Sequence, residues 1–437
     1  MATFGVLGLV WACNATNTGN PASPGNSPEG VELVRSRLAR TNEPKISADE
    51  RALFGRDSRQ LSFDLYHRVK DEQTNVFFSP YSIAVALGMT YAGAQGETKS
   101  EMANALHFEL PDATLHAAFN ATDLALQGRA HELAGAGSTN LGLPPSTGDG
   151  MQLRVTNAAF GQKDTSFVDA FLDVLALNYG AGMYRADFLA HADRERVAIN
   201  DWVEKQTQDR IKDLLPEGSI APDVALVLVN AIYFKASWLD PFDAARTAPA
   251  PFHAPAGDVS VQMMHGFAER YVRGDGYQAL ELPYISPAVR MLFILPDQGR
   301  FEAIESGLDG AFFDGVRAAL KTYSVDLQVP RFSFDAGFKL KPALAALGMT
   351  RAFDMGLADL SGIAGKPGDL YIDEVYHKAF VAVDERGTEA AAATAVVARD
   401  VSAPPPAVFV LDRPFIFVIH DEPTGQILFV GRLNDPS

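Results

Sequence analysis

The sequence predicts an α+β fold: one large domain in which helices and strands are both abundant. Three stretches carry that expectation. Ala225 to Phe234 is a continuous β-branched and aromatic run, the pattern of a central strand buried on both faces. Pro80 to Leu87, following Ser79, is almost wholly apolar, as in a buried helix with proline in its first turn. From Thr388 onward the even positions Thr388, Ala390, Ala392, Thr394, Val396 and Ala398 are small or apolar, whereas the odd face carries Glu389 and Arg399. Only Asp400 breaks that alternation, which is the period of a strand. Four alanines behind Thr388 also suit one capped helical turn. The residues alone leave both readings open for this segment.

The chain has 437 residues and is 47% hydrophobic, enough for one large core. With 54 acidic against 37 basic residues its net charge is −17, which argues against nucleic acid as a partner. A single cysteine, Cys13, excludes an intramolecular disulfide framework, so packing must hold the fold. Thr3 to Ala12 is a short uncharged apolar run, too short to span a bilayer and of the length of a signal h-region. Val10-Trp11-Ala12-Cys13 resembles a bacterial lipobox, although no Lys or Arg precedes the run and Trp11 is an unusual occupant. A plain secretion signal fits the same residues. Residues 1–13 are thus expected to be a signal or lipobox segment, placing the protein outside the cytoplasm, secreted or anchored to the envelope through a lipidated Cys13. Residues 14–45, rich in Asn, Gly, Ser, Pro and Thr, are expected to be a disordered tether. The domain is expected to span 46–437.

Along the domain, Ser47 is placed to cap a helix running through Leu61 to Tyr66. Asn75 to Phe78 is a short β-rich run ending at Ser79-Pro80. Leu115 to Leu126 is expected to be helical, and residues 129–150 form a long Gly-, Ser- and Pro-rich loop. Val155 to Phe160 reads as a strand and Ser166 to Leu177 as a helix. Leu280 to Tyr284 and Met291 to Pro296 read as further strands, and Gly348 as the cap of a helix ending at Leu347. His377 to Val383 is a strand feeding into Glu385-Arg386-Gly387-Thr388. No repeat and no second domain is visible. Motifs for catalysis are absent: nine histidines include no HExxH, and there is neither a GxSxG elbow nor a phosphate loop. No catalytic residue, metal site or cofactor is expected.

Glu385-x-Gly387-Thr388-Glu389-Ala390-Ala391-Ala392-Ala393-Thr394 closely resembles the hinge of inhibitory serpins, the serine protease inhibitor family. Asn75 to Leu87, Asn230 to Trp238 and Leu411 to Phe417 are similar to other signatures of that family, in the family's order, from about residue 50 to the end. The resemblance implies a large central mixed sheet with two smaller sheets, about nine helices and an exposed reactive-centre loop over about 385–408. It implies a suicide substrate of serine proteases rather than an enzyme. A protease cuts the loop and forms an acyl-enzyme; the freed segment from Thr388 then enters the main sheet, with Thr388, Ala390, Ala392 and Thr394 inward. Each added ladder bond contributes roughly 0.5–1.5 kcal/mol net, so a dozen supply on the order of 10 kcal/mol. The fourteen residues from Thr388 to Val401, at ~3.3 Å each, would carry the protease ~45 Å.

Family spacing puts the scissile bond at Val401-Ser402, suited to an elastase-like pocket; Arg399-Asp400, suited to a trypsin-like enzyme, is the rival. By motif, Ser79, Ser82, Asn230 and His377 resemble the shutter beneath the sheet opening, and Trp238 the breach where the loop enters. The helix at 115–126 carries no Lys or Arg, so no heparin binding is expected. The implied protein is a monomer whose partner is a serine protease. A member that has lost inhibition and serves in binding or as a chaperone is the alternative; such members tend to carry bulky, charged or proline residues in the hinge.

Overall fold

The structure, a computed structural model, describes residues 27–71, 74–129, 151–222, 224, 226–388 and 405–437. Sixteen strands and nine α-helices lie among the described residues. In chain order the strands are β1 Glu32–Val34, β2 Val76–Phe78, β3 Gln152–Gln162, β4 Met183–Ala186, β5 Leu226–Ser237, β6 Ala248–Ala254, β7 Gly257–Gly274 and β8 Tyr277–Pro283. They continue as β9 Val289–Pro296, β10 Lys321–Pro330, β11 Phe332–Lys339, β12 Glu374–Asp384, β13 Gly387–Thr388, β14 Pro406–Val410, β15 Phe415–Asp421 and β16 Gln426–Leu433.

Seven strands form a mixed central sheet in the order β1-β4-β3-β5-β13-β12-β11. The smaller sheets are joined through the 18-residue strand β7 into one nine-stranded ladder, β14-β10-β7-β8-β9-β15-β16-β2, with β6 beside β7. Strand β5 shows why the central sheet lies in the interior. Its odd residues Val227, Val229 and Ala231 pack under the helix Phe188–Gln206, with Trp202 and Val203. Its even residues face the other way, Leu226 and Leu228 into one apolar cluster, Ile232, Phe234 and Ala236 into a second. Between those two clusters, on the same face, falls the polar Asn230.

The first helix, α1 (Ala48–Val69), starts at Ser47 with a reciprocal capping box to Glu50. The second, α2 (Pro80–Tyr91), starts at Ser79, whose hydroxyl accepts the Ser82 amide. Gly348, at φ +102°, follows the helix Lys341–Ala346 as its left-handed stop. The expected helix at 166–177 is shifted to Asp169–Tyr179, because Phe167 is taken up in a bridge to Ala364.

Two boundaries require correction. The tether expected over 14–45 is not structureless in its second half: β1 pairs antiparallel with β4 and covers the edge of the central sheet. Val31 is buried there, the Ser36 hydroxyl donates to Asp173, the Thr41 amide donates to Leu177, and Arg40 binds Asn120 and Asp123. Those contacts bury Val31 and hold Glu32-Leu33-Val34 as a strand, with Leu33 and Val34 half-buried, despite their Pro- and Gly-rich setting. The loop expected over 385–408 is also anchored further in from both ends, since Gly387–Thr388 and Pro406–Val410 are strands.

Candidate functional site: the mouth and seam of the central sheet

Strands β5 and β12 run parallel and change partners along their length. From Glu374↔Val227 to Ala379↔Ile232 they pair directly with each other. Above that seam they part, and β13 occupies the gap: Gly387 and Thr388 pair antiparallel with Ser237 and Ala236 on one side and with Asp384 and Val383 on the other. The chain reaches this position through a two-residue turn, Glu385-Arg386, braced by the Asp384 carboxylate, which accepts the amides of Arg386 (2.8 Å) and Gly387 (3.3 Å).

The turn is locked to its surroundings. Glu385 is buried; Arg331 Nε donates to both carboxylate oxygens at 2.8 Å and the Thr247 hydroxyl donates at 2.5 Å. Burial opposes its charge, but the Arg331 and Thr247 hydrogen bonds outweigh burial and hold the carboxyl below its ordinary range. The backbone carbonyls of Glu385 and Arg386 accept the amides of Phe242 (2.7 Å) and Trp238 (2.8 Å), and Trp238 Nε1 donates to the Asp384 carbonyl at 3.1 Å. Gly387, at φ +152°, admits no side chain: a Cβ would lie 2.1 Å from the Ala236 carbonyl oxygen. Thr388, 1% exposed, turns inward, with Oγ1 2.7 Å from the Tyr284 hydroxyl. Tyr284 stacks on Trp238 at 4.5 Å.

The seam below is polar. Asn157 on β3 lies opposite Asn230 on β5, and Asn230 lies opposite His377 on β12, so the three form one row across the sheet. His377 Nε2 accepts the Ser79 amide at 3.1 Å, which leaves the proton on Nδ1 to donate to Asn230 Oδ1. Asn230 Nδ2 donates to Ser82 Oγ (2.5 Å) and to Asn157 Oδ1, while Asn157 Nδ2 donates to the Ser82 carbonyl at 3.1 Å. The row is thereby stitched to the first turn of α2. Burial pushes the His377 imidazole down to about 3, so it is neutral in ordinary buffers.

Ser79, Ser82, Asn230 and His377 are thus brought together, as are Glu385, Gly387, Thr388 and Trp238 at the upper end. Glu389, Ala390, Ala391, Ala392, Ala393, Thr394, Arg399, Asp400, Val401, Ser402 and Cys13 lie outside the described residues. Sequence reasoning missed Asn157, Tyr284, Arg331 and Thr247. Asn157 did leave a signal: it is the one amide in the otherwise strand-like run Val155 to Phe160.

The family model for serpins, serine protease inhibitors, matches residues 56–436. The chain belongs to the serpin family. It is 36% identical over 437 residues to an uncharacterized serpin-like protein of Thermococcus kodakarensis, covering 99% of this chain and 96% of that protein. It is 37% identical to the leukocyte elastase inhibitor of Bos taurus, over 83% of this chain and 93% of the relative. Among solved structures, the thermophilic serpin tengpin in its native state superposes with a TM-score of 0.78 at 27% identity, over 92% of this chain and all of that one. The gap between β5 and β12 is therefore a feature of a serpin central sheet.

Proposed function

We propose that this serpin inhibits a serine protease irreversibly, its loop being cut, acylated to the enzyme and drawn between β5 and β12. One observation carries this reading: Gly387 and Thr388 already sit in that gap as the first two residues of an antiparallel strand. Continuing the strand would replace one parallel seam by two antiparallel ones, the better pairing per residue. Ala390, Ala392 and Thr394, next inward in the same alternation, are small enough to follow. The inserted strand would move β12 from β5 by a further ~4.8 Å and part His377 from Asn230. Ser79, Ser82, Asn230 and His377, with Asn157, then act as the shutter, and Trp238, Tyr284 and Glu385 as the breach.

The target is an elastase-like protease cutting Val401-Ser402, a reading supported by the small β-branched Val401 and by likeness to an elastase inhibitor. The protein acts as a monomer outside the cytoplasm, on a lipid anchor at Cys13 or free. Incubation with an elastase and, separately, a trypsin tests the reading. The expected result is an SDS-resistant complex with the elastase and a cut after Val401 read by mass spectrometry. A trypsin complex cut after Arg399 would move the bond, and loop cleavage without any complex would reject inhibition.

A further inference from the structure

The need for small residues in an inserting strand does not account for the polar contact made by Thr388. The Tyr284 hydroxyl facing it belongs to a fully buried ring, held between Trp238, stacked at 4.5 Å and 12°, and Phe234, edge-on at 5.2 Å. The backbone fixes that ring: the Tyr284 amide donates to Val289 at 3.0 Å, the Ile285 amide donates to Ser237 at 2.8 Å, and Trp238 and Tyr284 form a bridge. Among the described residues, Thr388 Oγ1 is the hydrogen-bond partner of the phenol. The two hydroxyls satisfy each other in an apolar pocket, and withdrawing the hinge strands the phenol. Valine would fill the same space at residue 388 and supply no partner. The next two inward positions of the alternation, Ala390 and Ala392, carry no hydroxyl.

We propose that Tyr284 is a positioning residue whose hydroxyl latches Thr388, holding the hinge two residues deep in the sheet before any protease arrives. Seated and withdrawn hinges exchange, and the hydroxyl pair sets the balance between them. The latch itself stands on the intact molecule; only its use in inhibition rests on the function proposed above.

Amide hydrogen exchange on the full chain tests it, with Tyr284→Phe, Thr388→Val and the double variant compared with the unsubstituted protein. Each single change leaves one buried hydroxyl alone and is expected to speed exchange over 384–388 about tenfold, the effect of one net hydrogen bond. Exchange over 226–232 and 374–379 is expected to stay unchanged. The double variant, isosteric and without either hydroxyl, is expected to return towards the unsubstituted rate. Unchanged exchange in both singles, or a double effect equal to the product of the two, overturns the latch. Because both singles keep the ring or the hinge backbone intact, a misfolded Tyr284→Phe leaves Thr388→Val to decide. A latch found in a protein that forms no protease complex would retain this inference and reject the function.

Discussion

The upper and lower halves of the gap between β5 and β12 are built from the same two strands and behave as opposites. Below, the strands pair directly over 227–232 and 374–379, and a closed polar row from Asn157 to His377 ties them to α2. Above, the strands diverge, the neighbours are aromatic, and two hinge residues act as a wedge. The contrast separates two tasks. At the mouth, Thr388 is seated by its small size and by one hydroxyl contact, to Tyr284. The seam is held by hydrogen bonds among buried polar side chains, so parting β5 from β12 there would carry the cost of several such groups at once.

The sharpest way to break the mouth is Thr388→Arg. The cation would have to enter the buried seat beside Tyr284, a cost of more than about 3 kcal/mol. Complex formation with the protease should fall by roughly a hundredfold and the protein should be cleaved as a substrate instead. An undiminished SDS-resistant complex would detach the mouth from function. Gly387→Ala attacks the backbone rather than the pocket, since its Cβ would meet Ala236 at 2.1 Å. About 3 kcal/mol against the seated hinge is expected, read as faster proteolysis over 384–388 with the seam intact.

The seam is probed by acid. His377 is depressed to about 3 in the folded state, against about 6.5 unfolded. The unfolded chain therefore binds the extra proton first. This contribution is complete above pH 6.5, declines as the pH falls, and is spent near 3. At pH 5 the loss is about 2 kcal/mol. His377→Gln should lose about 2 kcal/mol less than the unsubstituted protein between pH 7.5 and 5 in urea unfolding; equal losses would place the acid sensitivity elsewhere. Asn157→Ala removes one end of the row and should lower stability by about 1.5 kcal/mol. It should also speed exchange over 226–232 while leaving 384–388 unchanged, the mirror image of the Tyr284→Phe pattern.

Much of this was legible in the residues, for reasons that differ between the two halves. The hinge could be read because insertion demands a local pattern, small residues at period two behind a glycine. Ser79-Pro80 and Asn230 stood in motifs whose local chemistry, a cap and a strand, was also visible. Asn157, Tyr284, Arg331 and Thr247 were not legible as partners, because strand register and the return of distant loops bring them in, 54 residues apart for Arg331 and Glu385 and 104 for Tyr284 and Thr388. Strand β1 was hidden by composition: Val31-Glu32-Leu33-Val34 is β-capable, but its Pro-, Gly- and Ser-rich flanks read as a tether until the edge of β4 supplied a partner.

The central claim is that the segment beyond Thr388 gains more by joining the sheet than by remaining outside it. Thermal unfolding of the intact protein and of protein nicked once within 395–402 tests this directly. The account predicts that the nicked form melts tens of degrees higher, in line with on the order of 10 kcal/mol of new ladder bonding. A nicked form that melts at or below the temperature of the intact one would contradict it.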